Sequence, residues 1–221
     1  MTAYIIRRLL VPLASICLTL AAIVWLPPQN LARGQEVVGL PPPDKQGGMP
    51  LMQALANRRS TRSFSARTLS RETLSNLLWA AFGVNRPGGD RTAPSAHNMQ
   101  EISIYAALPD GLFLFDAQAH ALRKVSGKDV RPLAGRQAFA AQAPLDLIYV
   151  ADLSRMRDEE AQDFYAAADT GFISQNVYLF CASEGLATVV YAWIDREALA
   201  DAMGLLPHQR IVLAQSVGWP P

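Results

Sequence analysis

The chain has 221 residues, half of them hydrophobic, and a formal net charge of +1. That length fits one globular domain plus an appendage, and the near-neutral balance removes the electrostatic case for a nucleic-acid partner. Lysine occurs only at positions 45, 124 and 128, so the cations are mostly arginines.

The appendage is N-terminal. Arg7 and Arg8 precede an uncharged run over residues 9–26. A charged start followed by an apolar core has the form of an export signal. The run is also just long enough to span a bilayer. Two readings stand side by side: a signal cleaved before Gln35, with Ala32 and Gly34 as the small residues, or an uncleaved membrane anchor. In both, the arginines lie on the N-terminal side. The rest of the chain is then expected outside the cytoplasm, periplasmic or anchored to the membrane facing outward. Arg7-Arg8 before Leu9-Leu10-Val11 is also compatible with a twin-arginine signal. Cys17 falls inside the run, which leaves Cys181 alone in the remainder. No internal disulfide can form there, and Cys181, in an apolar helical pattern, reads as a core residue.

Residues 27–50 are rich in Pro, Gly and Gln, including Pro41-Pro42-Pro43 and Gly47-Gly48, and read as an extended linker. The expected division is 1–34 as signal or anchor, 35–49 as linker and 50–221 as the folded domain. Pro50 suits the first turn of a helix running to Arg58. Ser70 can cap a second helix with Leu74, Leu77, Leu78, Ala81 and Phe82 on one face and Gly83 at its end. A loop with Pro87-Gly88-Gly89 follows. Ile102, Ile104 and Ala106 alternate as in a strand, Pro109-Asp110-Gly111 forms a turn, and residues 112–115 and 122–125 continue a meander. Residues 145–150, apolar except for Asp146, suit an inner strand. A long helix is predicted over 159–183, with Phe164, Ala168, Phe172, Val177 and Phe180 inward and Gly185 as its stop. A strand over 187–193, a helix from Asp195 to Gly204 and a strand over 211–217 complete the chain. Interspersed helices and strands with a meander argue for an α+β fold over a doubly wound sheet.

Arg58-Arg59-Ser60-Thr61-Arg62-Ser63 concentrates three guanidinium forks and three hydroxyls just after a helix. Such a cluster suits the phosphate of a small molecule. Further on come Pro94-Ser95-Ala96-His97-Asn98-Met99-Gln100, Gly171-Phe172-Ile173-Ser174-Gln175-Asn176-Val177-Tyr178, Glu184-Gly185-Leu186-Ala187-Thr188 and a closing Gly218-Trp219-Pro220. His97, His120 and His208 are scattered, and no metal-ligand spacing is present.

In that order and spacing, these segments resemble the nitroreductase family of flavin enzymes over about residues 50–220. The run Leu77-Leu78-Trp79-Ala80-Ala81-Phe82-Gly83-Val84-Asn85 looks most like the dehydrogenase branch that includes azoline-oxidising enzymes. The resemblance implies a mixed, largely antiparallel sheet flanked by helices, in a homodimer with FMN sites at the subunit interface. It implies hydride transfer between FMN and a small organic molecule. It carries Arg58, Ser60 and Arg62 onto the phosphate and ribityl chain, and Arg59, through its backbone, near the ring. Pro94, Ser95 and Ala96 match the segment that meets the partner's flavin. Asn98 and Gln100 also match, either as cofactor contacts or as amides bracing a turn. Gln137 is the candidate at the ring edge, and no catalytic residue is named. There are departures. Val190-Tyr191-Ala192-Trp193 lacks the carboxylate that many relatives carry over the flavin, and no basic tail follows Gly218-Trp219-Pro220. These departures keep open an alternative: a flavin-binding module without turnover, tethered to the membrane as a redox partner.

Overall fold

The structure, a computed structural model, describes residues 36–221. The apolar segment read as a signal or anchor lies outside the described residues. Among the described residues no helix is long and apolar enough to cross a membrane.

The fold is α+β. Seven strands form one sheet: β1 (Val37–Gly39), β2 (Ile102–Leu108), β3 (Gly111–Asp116), β4 (Ala121–Ser126), β5 (Leu145–Asp152), β6 (Ala187–Tyr191) and β7 (Gln209–Gly218). Their order is β1-β4-β3-β2-β5-β7-β6, and every neighbouring pair is antiparallel. The expected meander is β2-β3-β4, turned at Gly111, whose φ of 148° suits glycine.

Strand alternation sorts the core into two layers. On β5, Leu145, Leu147, Tyr149 and Ala151 face one apolar cluster, while Ile148 and Val150 face the other. The first cluster is closed by α2 (Arg71–Phe82) and α5 (Gln162–Glu184). The second is closed by α3 (Arg131–Ala134), α4 (Ala138–Gln142) and α6 (Arg196–Met203). Covered on both faces, β5 needs no polar side, which is why it reads as an almost continuous apolar run.

The Ser70 hydroxyl accepts from Thr73 N–H at 3.1 Å and caps α2, whose five predicted core residues are all buried. Helix α5 ends at Gly185, with φ 70° in the left-handed region. Its inward face differs from expectation. Phe164 is 70% exposed and Phe172 49%, while Ala166, Asp169, Thr170, Ile173, Ser174, Val177, Tyr178 and Cys181 are buried. The periodicity was ambiguous because α5 carries apolar residues on both sides. The side facing the sheet holds the smaller residues together with buried polar groups, and the two phenylalanines face outward.

The stretch expected as a linker is in part structured. β1 extends the sheet edge against β4. The Ser75 hydroxyl donates to Pro41 O at 2.6 Å, and Met49 N–H donates to Ser183 Oγ at 2.8 Å. Helix α1 (Leu51–Asn57) follows, with Pro50 as its N-cap.

Candidate active site

The arginine-rich segment leaves α1 extended along the sheet edge. β6 is the terminal strand, so one side of its backbone is free of strand pairing. Thr61 N–H donates to Thr188 O at 2.9 Å, and Val190 N–H donates to Tyr178 Oη at 3.1 Å. Tyr178 Oη also lies 2.8 Å from Ser60 Oγ. With Val190 donating to the phenol, the phenolic proton can point at Ser60. The serine then keeps its own O–H to donate outward. The Arg58 guanidinium sits over the Tyr178 ring, 5.3 Å from its centroid. Arg59, Thr61, Tyr178, Gly185, Leu186 and Thr188 help line a cleft of about 470 Å³.

Among the described residues none of Arg58, Arg59 and Arg62 pairs with an acid, and their side chains are engaged less than those of most other described arginines. Arg86, Arg123, Arg131, Arg136 and Arg210 each pair with an aspartate. Arg58 has only its ring contact, and Arg59 and Arg62 have no hydrogen bond, ion pair or ring contact among the described residues. Arg59, at a cleft whose lining holds no carboxylate, and its two neighbours in the segment form a donor set complementary to an anion.

The loop over residues 92–101 is held in the opposite way. His97, Asn98 and Gln100 have φ of 51°, 53° and 48°. Such backbone costs on the order of 1–3 kcal/mol per residue and persists only where its surroundings fix it. Here the Asn98 amide donates to Asp90 at 3.1 Å, and Gln100 Nε2 donates to Gly89 O and Asn98 Oδ1 at 3.1 and 3.0 Å. Arg91 donates to Gln100 Oε1 at 2.9 Å, and Gln100 N–H donates to Ser95 Oγ at 2.8 Å. Asn98 and Gln100 are therefore engaged in bracing the turn. Pro94 is exposed, and Ser95 and Ala96 are half-buried.

Ala96 N–H donates to Asp169 Oδ2 at 2.8 Å, which ties the loop to α5. Beside Asp169 lies the fully buried Glu101. Burial, with the neighbouring Asp169 carboxylate, pushes the Glu101 carboxyl up to about 7 against its own backbone N–H and Arg155. Apart from that backbone N–H, no donor approaches its oxygens. Protonated, Glu101 becomes a donor to Asp169, and the two acids can coexist.

Gln137 stands at the N-terminus of α4, and its Oε1 is buried with no donor. Among the described residues no group of His, Cys, Asp and Glu could hold a metal.

The model of the Nitroreductase family matches residues 55–219, which span both the arginine segment and the loop. The chain belongs to the nitroreductase family. A curated Methanocaldococcus jannaschii protein named as a nitroreductase is 33% identical over 160 residues, covering 66% of this chain and 81% of that one. A Ralstonia eutropha crystal structure described as a nitroreductase superposes with a TM-score of 0.81 at 43% identity, covering 84% of this chain and 90% of that one. The Escherichia coli microcin synthetase McbBCD complex shares the fold alone, with a TM-score of 0.64 at 20% identity over 79% of this chain and 75% of that one. Nitroreductases are oxidoreductases, typically flavin-dependent, that act on small molecules and are often dimers.

The arginine segment and the loop are anchored at different points of one helix. The arginine segment is fastened to α5 at Tyr178, and the loop is fastened at Asp169, nine positions earlier. That is about 14 Å along a helix axis. Sequence reasoning singled out neither residue. Tyr178 falls inside the segment 171–178 without a role of its own, and Asp169 is one residue of the long helix to which the sequence pattern assigns no part.

Proposed function

We propose that this nitroreductase-family chain is an FMN-dependent oxidoreductase acting as a homodimer. The observation that carries the reading is the arginine segment 58, 59 and 62, without acid partners and with Arg59 lining a cleft. That donor set fits a phosphate dianion, so FMN is a chemically consistent occupant. Arg58, Arg59, Arg62 and the free Ser60 O–H would hold the phosphate and ribityl chain. The orphan acceptor Gln137 Oε1 would take a ring N–H. When bound, FMN supplies a two-electron carrier for hydride exchange with a small organic substrate.

The separation along α5 supports the homodimer reading. An isologous pairing that runs two copies of α5 antiparallel sets the Asp169 end of one beside the Tyr178 end of the other. Residues 94–96 of the partner subunit would then face the arginine cleft. The outward Phe164 and Phe172 offer the apolar surface such a contact needs. The run over residues 77–85 favours the branch in which the organic substrate itself reduces the flavin. Export by the N-terminal segment would remove the domain from NAD(P)H and points the same way, with NADH and NADPH poor reductants. The alternative, a tethered module without turnover, draws on the missing carboxylate after Val190.

The test is the absorbance spectrum of the purified full-length protein, with the cofactor extracted and identified. The reading expects FMN that bleaches anaerobically with a reductant and recovers in air. A colourless protein that cannot be reconstituted with FMN overturns it.

A further inference from the structure

Among the described arginines, one other shares the isolation of Arg59 and Arg62. Arg157 has no hydrogen bond, ion pair or ring contact with any described residue. It lines a separate cavity of about 490 Å³ with His97, Met99, Arg155, Met156 and Tyr165. None of these residues lines the cleft beside Arg59. The volume is within the range of small-molecule sites.

The walls have a definite chemistry. His97 and Tyr165 meet edge to face, with ring centroids 5.9 Å apart and planes at 85°. The left-handed His97 backbone is fixed by the loop bonds described above, so this wall is held in place. Met99 and Met156 add thioether surface, which accommodates flat rings. Arg155 donates through Nη1 to Gln100 O at 2.7 Å and brings a second guanidinium to the cavity. The one acid in the lining, Asp158, is turned to backbone: its Oδ1 accepts from Glu160 N–H and Ala161 N–H at 3.1 and 3.3 Å. The cavity thus combines an unpartnered cation with aromatic and thioether walls. An inorganic anion would leave those walls unused, and a neutral ring would leave Arg157 unused.

We propose that this cavity recognises an aromatic carboxylate, the class of small molecule on which the enzyme acts. The assignment as a substrate site rests on the dimeric flavin reading above. Tyr165 lies 13 positions before Tyr178 on α5, about 20 Å along the axis, too far to serve the cleft of its own chain. Antiparallel pairing of α5 carries the cavity toward the partner's cleft instead.

The experiment is calorimetric titration of the full-length protein with benzoate and with its neutral isostere benzamide. The wild type is compared with Arg157→Gln and Arg157→Lys, and flavin content and molar mass are recorded for each sample. Benzoate should bind at least about tenfold more tightly than benzamide. Arg157→Gln should lose that preference while keeping its flavin and mass, and Arg157→Lys should keep most of it. Equal affinity for the two ligands, or benzoate affinity unchanged in Arg157→Gln, overturns the proposal. So does a flavin-loaded dimer that binds no benzoate. Benzoate binding that depends on Arg157 in a protein without flavin upholds the cavity and overturns the flavin reading.

Discussion

The arginine segment and the 92–101 loop both lean on α5, and they are built by opposite rules. Around the arginines the structure withholds partners: Arg59 lines a cleft, Arg58 and Arg62 flank it in the chain without acid partners, and the segment is steadied by one tyrosine hydroxyl and one backbone bond to β6. Around the loop it supplies partners in excess, with side-chain amides, Arg91 and Asp169 all fixing a strained backbone. The contrast separates two tasks. A surface meant to receive an anion must leave its donors unsatisfied. A surface meant to present small groups at a fixed position must have its own polar groups satisfied from within.

Breaking the receiving side should have the largest effect. Arg58→Ala and Arg62→Ala should each weaken FMN binding by roughly 2–3 kcal/mol if each makes a charge-assisted hydrogen bond. Flavin fluorescence titration measures this, and the double variant should be isolated without flavin. Thermal unfolding without flavin should barely change, since neither side chain holds the fold together. Unchanged affinity in both single variants removes the clamp assignment.

Next in size is the connection between the two regions. Tyr178→Phe removes the hydroxyl that accepts from Val190 N–H and meets Ser60. It should cost on the order of 1–3 kcal/mol of stability in denaturant unfolding and should also weaken FMN binding. A stability loss with flavin affinity intact would show that Ser60 is placed without the tyrosine.

The braced side carries a pH signature. Glu101 titrates near 7 when folded, above its ordinary value of 4.5. The folded state therefore holds an extra proton between those values. The stabilisation tied to it is fully present below about pH 4.5 and is lost as pH rises through 7. Glu101→Gln, which imitates the protonated acid, should flatten that part of the stability profile and raise stability at pH 8 by about 1–2 kcal/mol. Asp146, buried with Ser216 and Tyr191, also titrates near 7 and adds a parallel slope, so the variant must be compared with wild type over the whole range. An identical profile in Glu101→Gln places the proton elsewhere.

The smallest expected effect is at Asn98, which sequence matching left open between a cofactor contact and a brace. Asn98→Ala should lower stability by roughly 1 kcal/mol through its lost bonds to Asp90 and Gln100. FMN affinity should change less than twofold. A loss of affinity comparable to that of Arg58→Ala would return Asn98 to the flavin site.

Much of this was legible in the chain. Ser70, Gly83, Gly185, Asp195 and Gly204 stand where helices α2, α5 and α6 begin or end, because capping and left-handed backbone are local chemistry. The arginine cluster was visible because charge density in a short segment needs no tertiary knowledge. Its freedom from acids was not, since that depends on where every aspartate folds. The outward turn of Phe164 and Phe172 was missed for a related reason: a hydrophobic face signals burial, but not whether the sheet or a second subunit provides it. Edge strand β1 escaped notice because three residues in a proline-rich stretch carry too little pattern. Glu101 and Asp169 are the hardest case, since a buried acid pair has no one-dimensional signature.

The central claim is that arginines from one chain and residues 94–96 of the other make one flavin site. Subunit complementation tests it directly. Arg58→Ala/Arg62→Ala chains and Ala96→Glu chains are each expected to dimerise without binding FMN. Co-expressed, they form a mixed dimer that pairs the intact arginines of one chain with the intact loop of the other, and flavin binding should return. A mixed dimer, verified by mass, that binds no more FMN than its parents would contradict a shared site.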